Sequence, residues 1–153
     1  PLPQVGIIVG SASDQPVMED TEKTLQELGV DCELIVASAH RNPAKVAEYV
    51  AEAPSRGVEV FIAAAGGAAA LPGVVASHTT LPVIGVPIAS SELGGVDALY
   101  SIVQMPPGIP VATVAVGAWG ARNSALLAAE VLGIKYAKIR AAVEQYRERL
   151  RQR

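Results

Sequence analysis

Cysteine, aromatic residues and charge are all scarce in this chain, and each scarcity excludes something. Cys32 is the single cysteine, so no disulfide can form within the chain, and the thiol fits a reducing cytoplasm. Only 4% of the 153 residues are aromatic, although 50% are hydrophobic. The core must then be assembled from Val, Ile, Leu and Ala, the residues of a buried parallel sheet covered by helices. Charged residues amount to 18%, below the usual share of roughly a quarter. That shortfall fits either surface hidden in an oligomer or a generous core. The net charge is −3, and no Lys/Arg cluster precedes the last helical segment, which argues against a nucleic-acid partner. No charged-then-apolar signal opens the chain, and no apolar run of membrane-spanning length is free of Gly, Pro or polar breaks. A soluble cytoplasmic protein with no membrane contact is expected. No His/Cys/Asp/Glu set has metal-ligand spacing, and neither a Gly-x-Ser-x-Gly elbow nor a Walker loop is present.

What the chain does have is a regular alternation of two patterns. Apolar runs at Val5–Val9, Cys32–Ala37, Val58–Ala65, Val83–Val86 and Val111–Val116 read as five buried strands. Between them lie helical segments. Ser13 and Asp14 can cap the first, which starts near Pro16, carries Val17, Thr21, Leu25 and Leu28 at helical spacing, and stops at Gly29. Asn42-Pro43 opens the second, with Val46, Val50 and Ala53 on one face. Others are predicted at about Ala69–His78, Val96–Val103 and Arg122–Leu132. In Tyr136–Arg149, the residues Ile139, Val143 and Tyr146, continued by Leu150, make a narrow apolar stripe among charges. This is the mark of an amphipathic helix lying on the domain or on a neighbouring subunit. With no repeat or linker, residues 1–153 are expected to form one α/β domain, in which residues 136–153 are a C-terminal helix. Its parallel five-stranded sheet carries helices on both faces in three layers.

In such sheets ligands sit beyond the carboxyl ends of the strands, where the strand order switches. Three segments should meet there. Gly10-Ser11-Ala12-Ser13-Asp14 places hydroxyls and free backbone N–H groups at a helix start, an anion site, and Asp14 can accept from a sugar diol; alternatively Ser13 or Asp14 simply caps the helix. In Ser38-Ala39-His40-Arg41-Asn42-Pro43, Arg41 offers a planar fork to a phosphate, and His40 belongs to the residue type best suited to moving protons near neutral pH. The bland alternative is a solvated Arg41 and a His40 bonded to a backbone carbonyl. Gly66-Gly67-Ala68-Ala69 lacks bulky side chains, so a flat ring can lie against the backbone, unless the pair of glycines is only a tight turn. His78 and Cys32 read as structural residues.

These segments, together with Leu71-Pro72-Gly73, Leu81–Pro87, Ser101–Pro106 and Asn123–Ala129, resemble in order the PurE family of purine biosynthesis. The resemblance runs from about Val5 to Leu132. It implies a flavodoxin-like sheet, a homo-octamer with sites between subunits, and no metal, biotin or nucleotide cofactor. It implies one of two activities. One is an N5-carboxyaminoimidazole ribonucleotide mutase, an isomerase that moves a carboxylate from the exocyclic nitrogen to ring carbon C4. The other is an aminoimidazole ribonucleotide carboxylase that takes CO2 directly. The Ser38–Pro43 and Gly66–Ala69 segments resemble the mutase type. Carried over by position, Ser13, Ser38 and Arg41 hold the phosphate and Asp14 the ribose. Ser11 and the backbone of Gly66, Gly67, Ala68 and Ala69 surround the imidazole and its carboxylate, and His40 is the proton shuttle. Two positions depart from the family. Ala70 stands where it usually has His, and Trp119 stands where it usually has a small residue. A catalytically altered oligomeric scaffold is therefore a third reading.

Overall fold

The computed structural model describes residues 2–153. Five parallel strands, β1 (Val5–Val9), β2 (Cys32–Val36), β3 (Val60–Gly66), β4 (Val83–Ile88) and β5 (Ala112–Thr113), form one sheet in the order β2-β1-β3-β4-β5. Six α-helices cover it: α1 (Gln15–Glu27), α2 (Pro43–Glu52), α3 (Leu71–Ser77), α4 (Val96–Val103), α5 (Ala118–Gly133) and α6 (Ala137–Arg151). This is the flavodoxin-like arrangement, with the order reversing between β1 and β3.

The period-2 alternation of the strands divides the core into two layers. Val5, Ile7 and Val9 of β1, Val60, Ile62 and Ala64 of β3, and Ile84, Val86 and Ile88 of β4 face one way, onto α1, α5 and α6. Ile8, Phe61, Ala63 and Ala65 face the other way, onto α2, α3 and α4. Nearly every one of these side chains is completely buried, so the small-residue composition is what lets helices approach both faces closely. Phe61, the only phenylalanine, fits because Gly6 on the neighbouring strand has no side chain; a Cβ there would lie 3.2 Å from the Phe61 ring and 2.5 Å from the Tyr49 hydroxyl.

Several boundaries differ from the sequence reading: β3 is Val60–Gly66 rather than Val58–Ala65, β4 runs on to Ile88, and three further differences have identifiable causes. β5 is two residues long rather than Val111–Val116. Gly85 and Pro87 of β4 turn their carbonyls toward β5, accepting from the Val114 and Gly117 N–H groups at 3.1 and 2.9 Å. Proline has no N–H to return, so the ladder cannot continue as regular sheet past Pro87. α5 starts at Ala118, four residues before Arg122, with the Gly117 carbonyl accepting from Ala121 N–H at 2.9 Å. Glycine is needed at the first of these positions because its φ is +78°, and at Gly120 because a Cβ there would meet the Ala115 carbonyl oxygen at 1.7 Å. α3 is shorter than expected, since residues up to Ala70 belong to the turn that follows β3. The last helix packs on α5 through buried Ile139 and Val143, while Leu150 at its far end stays exposed. No helix among the described residues is long and apolar enough to cross a membrane.

Candidate active site

At the carboxyl edge of the sheet, beside the β1/β3 switch, an open cleft of about 320 Å³ is lined by Gly10, Ser11, Ser13 and Asp14 after β1 and by Ser38–Arg41 after β2. Ala65, Gly66, Ala69, Ala70 and Leu71 close it from the β3 side, and Ser90 from β4. A larger cavity of about 960 Å³ lies at the opposite end, between the starts of β4 and β5, with His78 and Thr79 on its wall. Volume alone would favour that one. The smaller cleft is the chemical candidate because anion-binding, proton-carrying and backbone groups converge in it.

Arg41 ties the first two loops together. Its Nη2 donates to the Gly10 carbonyl at 3.0 Å, and its Nε and backbone N–H donate to the Ser38 hydroxyl at 3.3 and 3.0 Å. A guanidinium carries five N–H donors, so the rest of the fork remains available for a phosphate. Arg41 thus remains exposed while its side chain ties the two loops together. The loop itself is closed by Asn42 N–H donating to the Ser38 carbonyl at 2.9 Å, and Asn42 caps α2 through Lys45 N–H. Pro43 fits the first helical turn, where no N–H is required. His40 is left exposed on this turn, and no hydrogen bond of its ring is made among the described residues. It is free to meet a ligand.

In the first loop the capping alternative is corrected. A single 3₁₀ turn, Ala12–Asp14, precedes α1, and its cap is the Ser11 hydroxyl, which accepts from Ser13 N–H at 3.3 Å. Asp14 holds the N-cap position of α1 yet makes no capping bond with its side chain. Neither Ser13 nor Asp14 is used up as a helix cap, because Ser11 already satisfies the turn. Asp14 is only 5% exposed. Burial raises its carboxyl above the usual range, while the nearby Arg41 guanidinium pulls it back.

The third segment makes a tight turn, in which Ala69 N–H donates to the Gly66 carbonyl at 3.1 Å. Gly67 has φ +58° and Ala69 φ +29°, a region that L side chains rarely adopt. Backbone held this way clusters at ligand sites. Gly66 and Ala69 face the cleft. Gly67 and Ala68 do not line it, because they form the outer tip of the turn. Gly10, Ala39 and Leu71 lie within segments that the sequence singles out but carry no role of their own there, whereas Ser90 lies outside all of them. The signal for Ser90 was its place after β4, since the rule that collected the other loops applies equally to that strand.

Ala70 lies on the cleft wall. Trp119 lies outside it, 82% exposed beside the Arg122–Asp20 ion pair, so it is no part of the core. Cys32 packs against the α1/α5 layer, and burial with Glu22 and Asp31 nearby pushes its thiol up to about 11, so it carries no thiolate chemistry near neutral pH. Among the described residues, no group of three or more His, Cys, Asp and Glu side chains is placed to hold a metal ion.

Comparison with known proteins gives the family and the fold. The family model for AIR carboxylase matches residues 4–153. The N5-carboxyaminoimidazole ribonucleotide mutase of Thermotoga maritima is 55% identical over 150 residues, covering 98% of this chain and 86% of that protein. The mutase of Pyrococcus abyssi is 58% identical over 147 residues, covering 96% and 83%. In three dimensions the chain is similar to the crystal structure of Treponema denticola PurE, with TM-score 0.89 and 30% identity over 98% of this chain and 92% of that one. With a full-length family match, close relatives and a shared fold, the chain belongs to the AIR carboxylase (PurE) family.

Proposed function

We propose that this protein is an isomerase of de novo purine biosynthesis, converting N5-carboxyaminoimidazole ribonucleotide to 4-carboxy-5-aminoimidazole ribonucleotide. The observation that carries the reading is the convergence of an unbonded His40, the Arg41–Ser38 anion cradle and the strained Gly66–Ala69 turn in one cleft. Relatives more than half identical over almost the whole chain are mutases. The scaffold alternative rests on Ala70 at the cleft wall and the exposed Trp119, neither of which removes His40, Arg41 or Ser38 from the cleft, and the mutase relatives weigh against the carboxylase.

In this reading Ser13, Ser38 and Arg41 hold the phosphate, and the buried Asp14 accepts from the ribose hydroxyls. Ser11 and the backbone of Gly66 and Ala69 surround the imidazole, with Gly67 and Ala68 shaping the turn behind it. A proton delivered to N5 by His40 allows the nitrogen–carboxylate bond to break; the bonding pair stays on nitrogen and CO2 is released into the cleft. Ring carbon C4 then bonds to the CO2 carbon. His40 removes the C4 proton, the freed pair restores aromaticity, and the imidazole is returned to its starting protonation state. Holding CO2 against the ring is a proximity effect, worth about 7–11 kcal/mol at best. The steps run on the protein's own groups, without a metal, biotin or nucleotide cofactor.

The working form is taken to be a cytoplasmic homo-octamer of single-domain chains spanning residues 1–153, with sites between subunits. Exposed Val96, Tyr100 and Val103 on α4, together with Trp119, support association; a single-chain mass by light scattering would rule it out. For the activity, incubation with N5-carboxyaminoimidazole ribonucleotide is expected to yield the C4-carboxylated product without added bicarbonate. Turnover of aminoimidazole ribonucleotide with bicarbonate alone would favour the carboxylase, and a stable oligomer with no turnover would favour the scaffold.

A further inference from the structure

Four serines border the cleft, and the hydroxyls of three take part in hydrogen bonds within the protein. The Ser11 and Ser13 hydroxyls bond one another at 2.9 Å, and the Ser38 oxygen accepts twice from Arg41. Ser90 is the fourth. Its backbone N–H donates to the Ile88 carbonyl at 3.0 Å, but its hydroxyl makes no hydrogen bond among the described residues.

The position of that hydroxyl is set from two sides. Ser90 lies two residues past the end of β4, so its backbone is held at the carboxyl edge of the sheet. Gly66 stands against it: a Cβ on Gly66 would lie 1.7 Å from the Ser90 Oγ. The oxygen thus occupies the space that a side chain at position 66 would fill, beside the backbone against which the imidazole is placed. The other side chains of this corner, Ala65, Ala69, Ala70 and Leu71, offer no donor. The charged and hydroxyl groups of Ser13, Ser38 and Arg41 belong to the loops after β1 and β2. An uncommitted O–H in an otherwise apolar corner is suited to an anionic oxygen carried on the ring.

We infer that Ser90 is a substrate-binding residue that donates its hydroxyl proton to the carboxylate carried by the imidazole ring, an assignment that rests on the proposed mutase reading. It makes Ser90 a selector between carboxylated and uncarboxylated ribonucleotides. With Ala70 in the same corner, Ser90 is the side chain there able to make this contact.

Binding of two ligands that differ only in the carboxylate, 4-carboxy-5-aminoimidazole ribonucleotide and aminoimidazole ribonucleotide, tests this by calorimetry on the parent protein and on Ser90→Ala. Ser90 is exposed and held through its backbone, so the variant should fold, which an unchanged melting temperature verifies. Affinity for the carboxylated ligand is expected to fall about tenfold to a hundredfold, the usual worth of a hydrogen bond to a charged group. Affinity for the uncarboxylated ligand should stay within about twofold. Equal losses for both ligands would reduce Ser90 to a prop for the Gly66 turn and overturn the assignment, as would no loss for either. If the parent protein itself bound neither ribonucleotide, the mutase reading would fail first, and this assignment with it.

Discussion

Burial raises the Asp14 carboxyl while Arg41 lowers it, and the net effect is upward. The folded protein therefore holds this proton more firmly than the unfolded chain does. Between the unfolded and folded values the folded state binds more protons, so this group's contribution to stability falls as pH rises through that window. Asp14→Asn removes the buried charge. It is expected to be more stable than the parent at neutral pH, with the advantage fading once the medium is acid enough to protonate Asp14. Its affinity for the ribonucleotide should fall about tenfold through loss of charge-assisted hydrogen bonds to the ribose. Thermal melts across pH, paired with a binding isotherm, check both halves. A variant less stable than the parent at pH 7 would make Asp14 a structural residue instead. At this scale the chemistry-bearing residue types were readable in the sequence, because His, Arg and Asp beside serines stand out locally. Ser90 was signalled only by its place after β4, and what distinguishes its hydroxyl is the approach to Gly66, 24 positions away in the chain.

Helix α6 shows how an element is held by few residues. Its mean hydropathy is low, and Ile139 and Val143 are its two buried side chains. Gly133 at the end of α5 allows the close crossing, since a Cβ there would lie 3.1 Å from the Arg140 Cα. Ile139→Ala is expected to cost about 2–4 kcal/mol in chemical denaturation, as for other large-to-small changes in a packed core. A cost below about 0.5 kcal/mol, the scale of an ordinary surface change, would mean that α6 is not packed on α5 in solution. Elements were legible in proportion to how local their causes are. β1 follows from its apolar run and the stripe of α6 from hydrophobic period, both local signals. The shortening of β5 does not, because it depends on a missing N–H at Pro87 on a different strand. The early start of α5 was hidden for a similar reason. Gly117 and Gly120 read locally as loop, yet one supplies a positive φ and the other a close approach to Ala115.

At the scale of the whole molecule, the two core layers fix the sheet, and the sheet brings four loops to one edge. That convergence follows from strand order, which the alternating pattern suggested and the ordered resemblance to the PurE family sharpened. The geometry adds the connection between the loops: Arg41 reaches across from the β2 loop to the Gly10 carbonyl and leaves His40 unbonded at the mouth of the cleft. The central claim is that His40 carries the proton in a carboxylate transfer within this cleft. The direct measurement is the rate at which His40→Asn converts N5-carboxyaminoimidazole ribonucleotide, compared with the unsubstituted protein at saturating substrate. A fall in kcat of about 10²–10⁴-fold, the usual contribution of a positioned acid–base group, with ribonucleotide binding retained, is the predicted result. An undiminished kcat in the variant would contradict it.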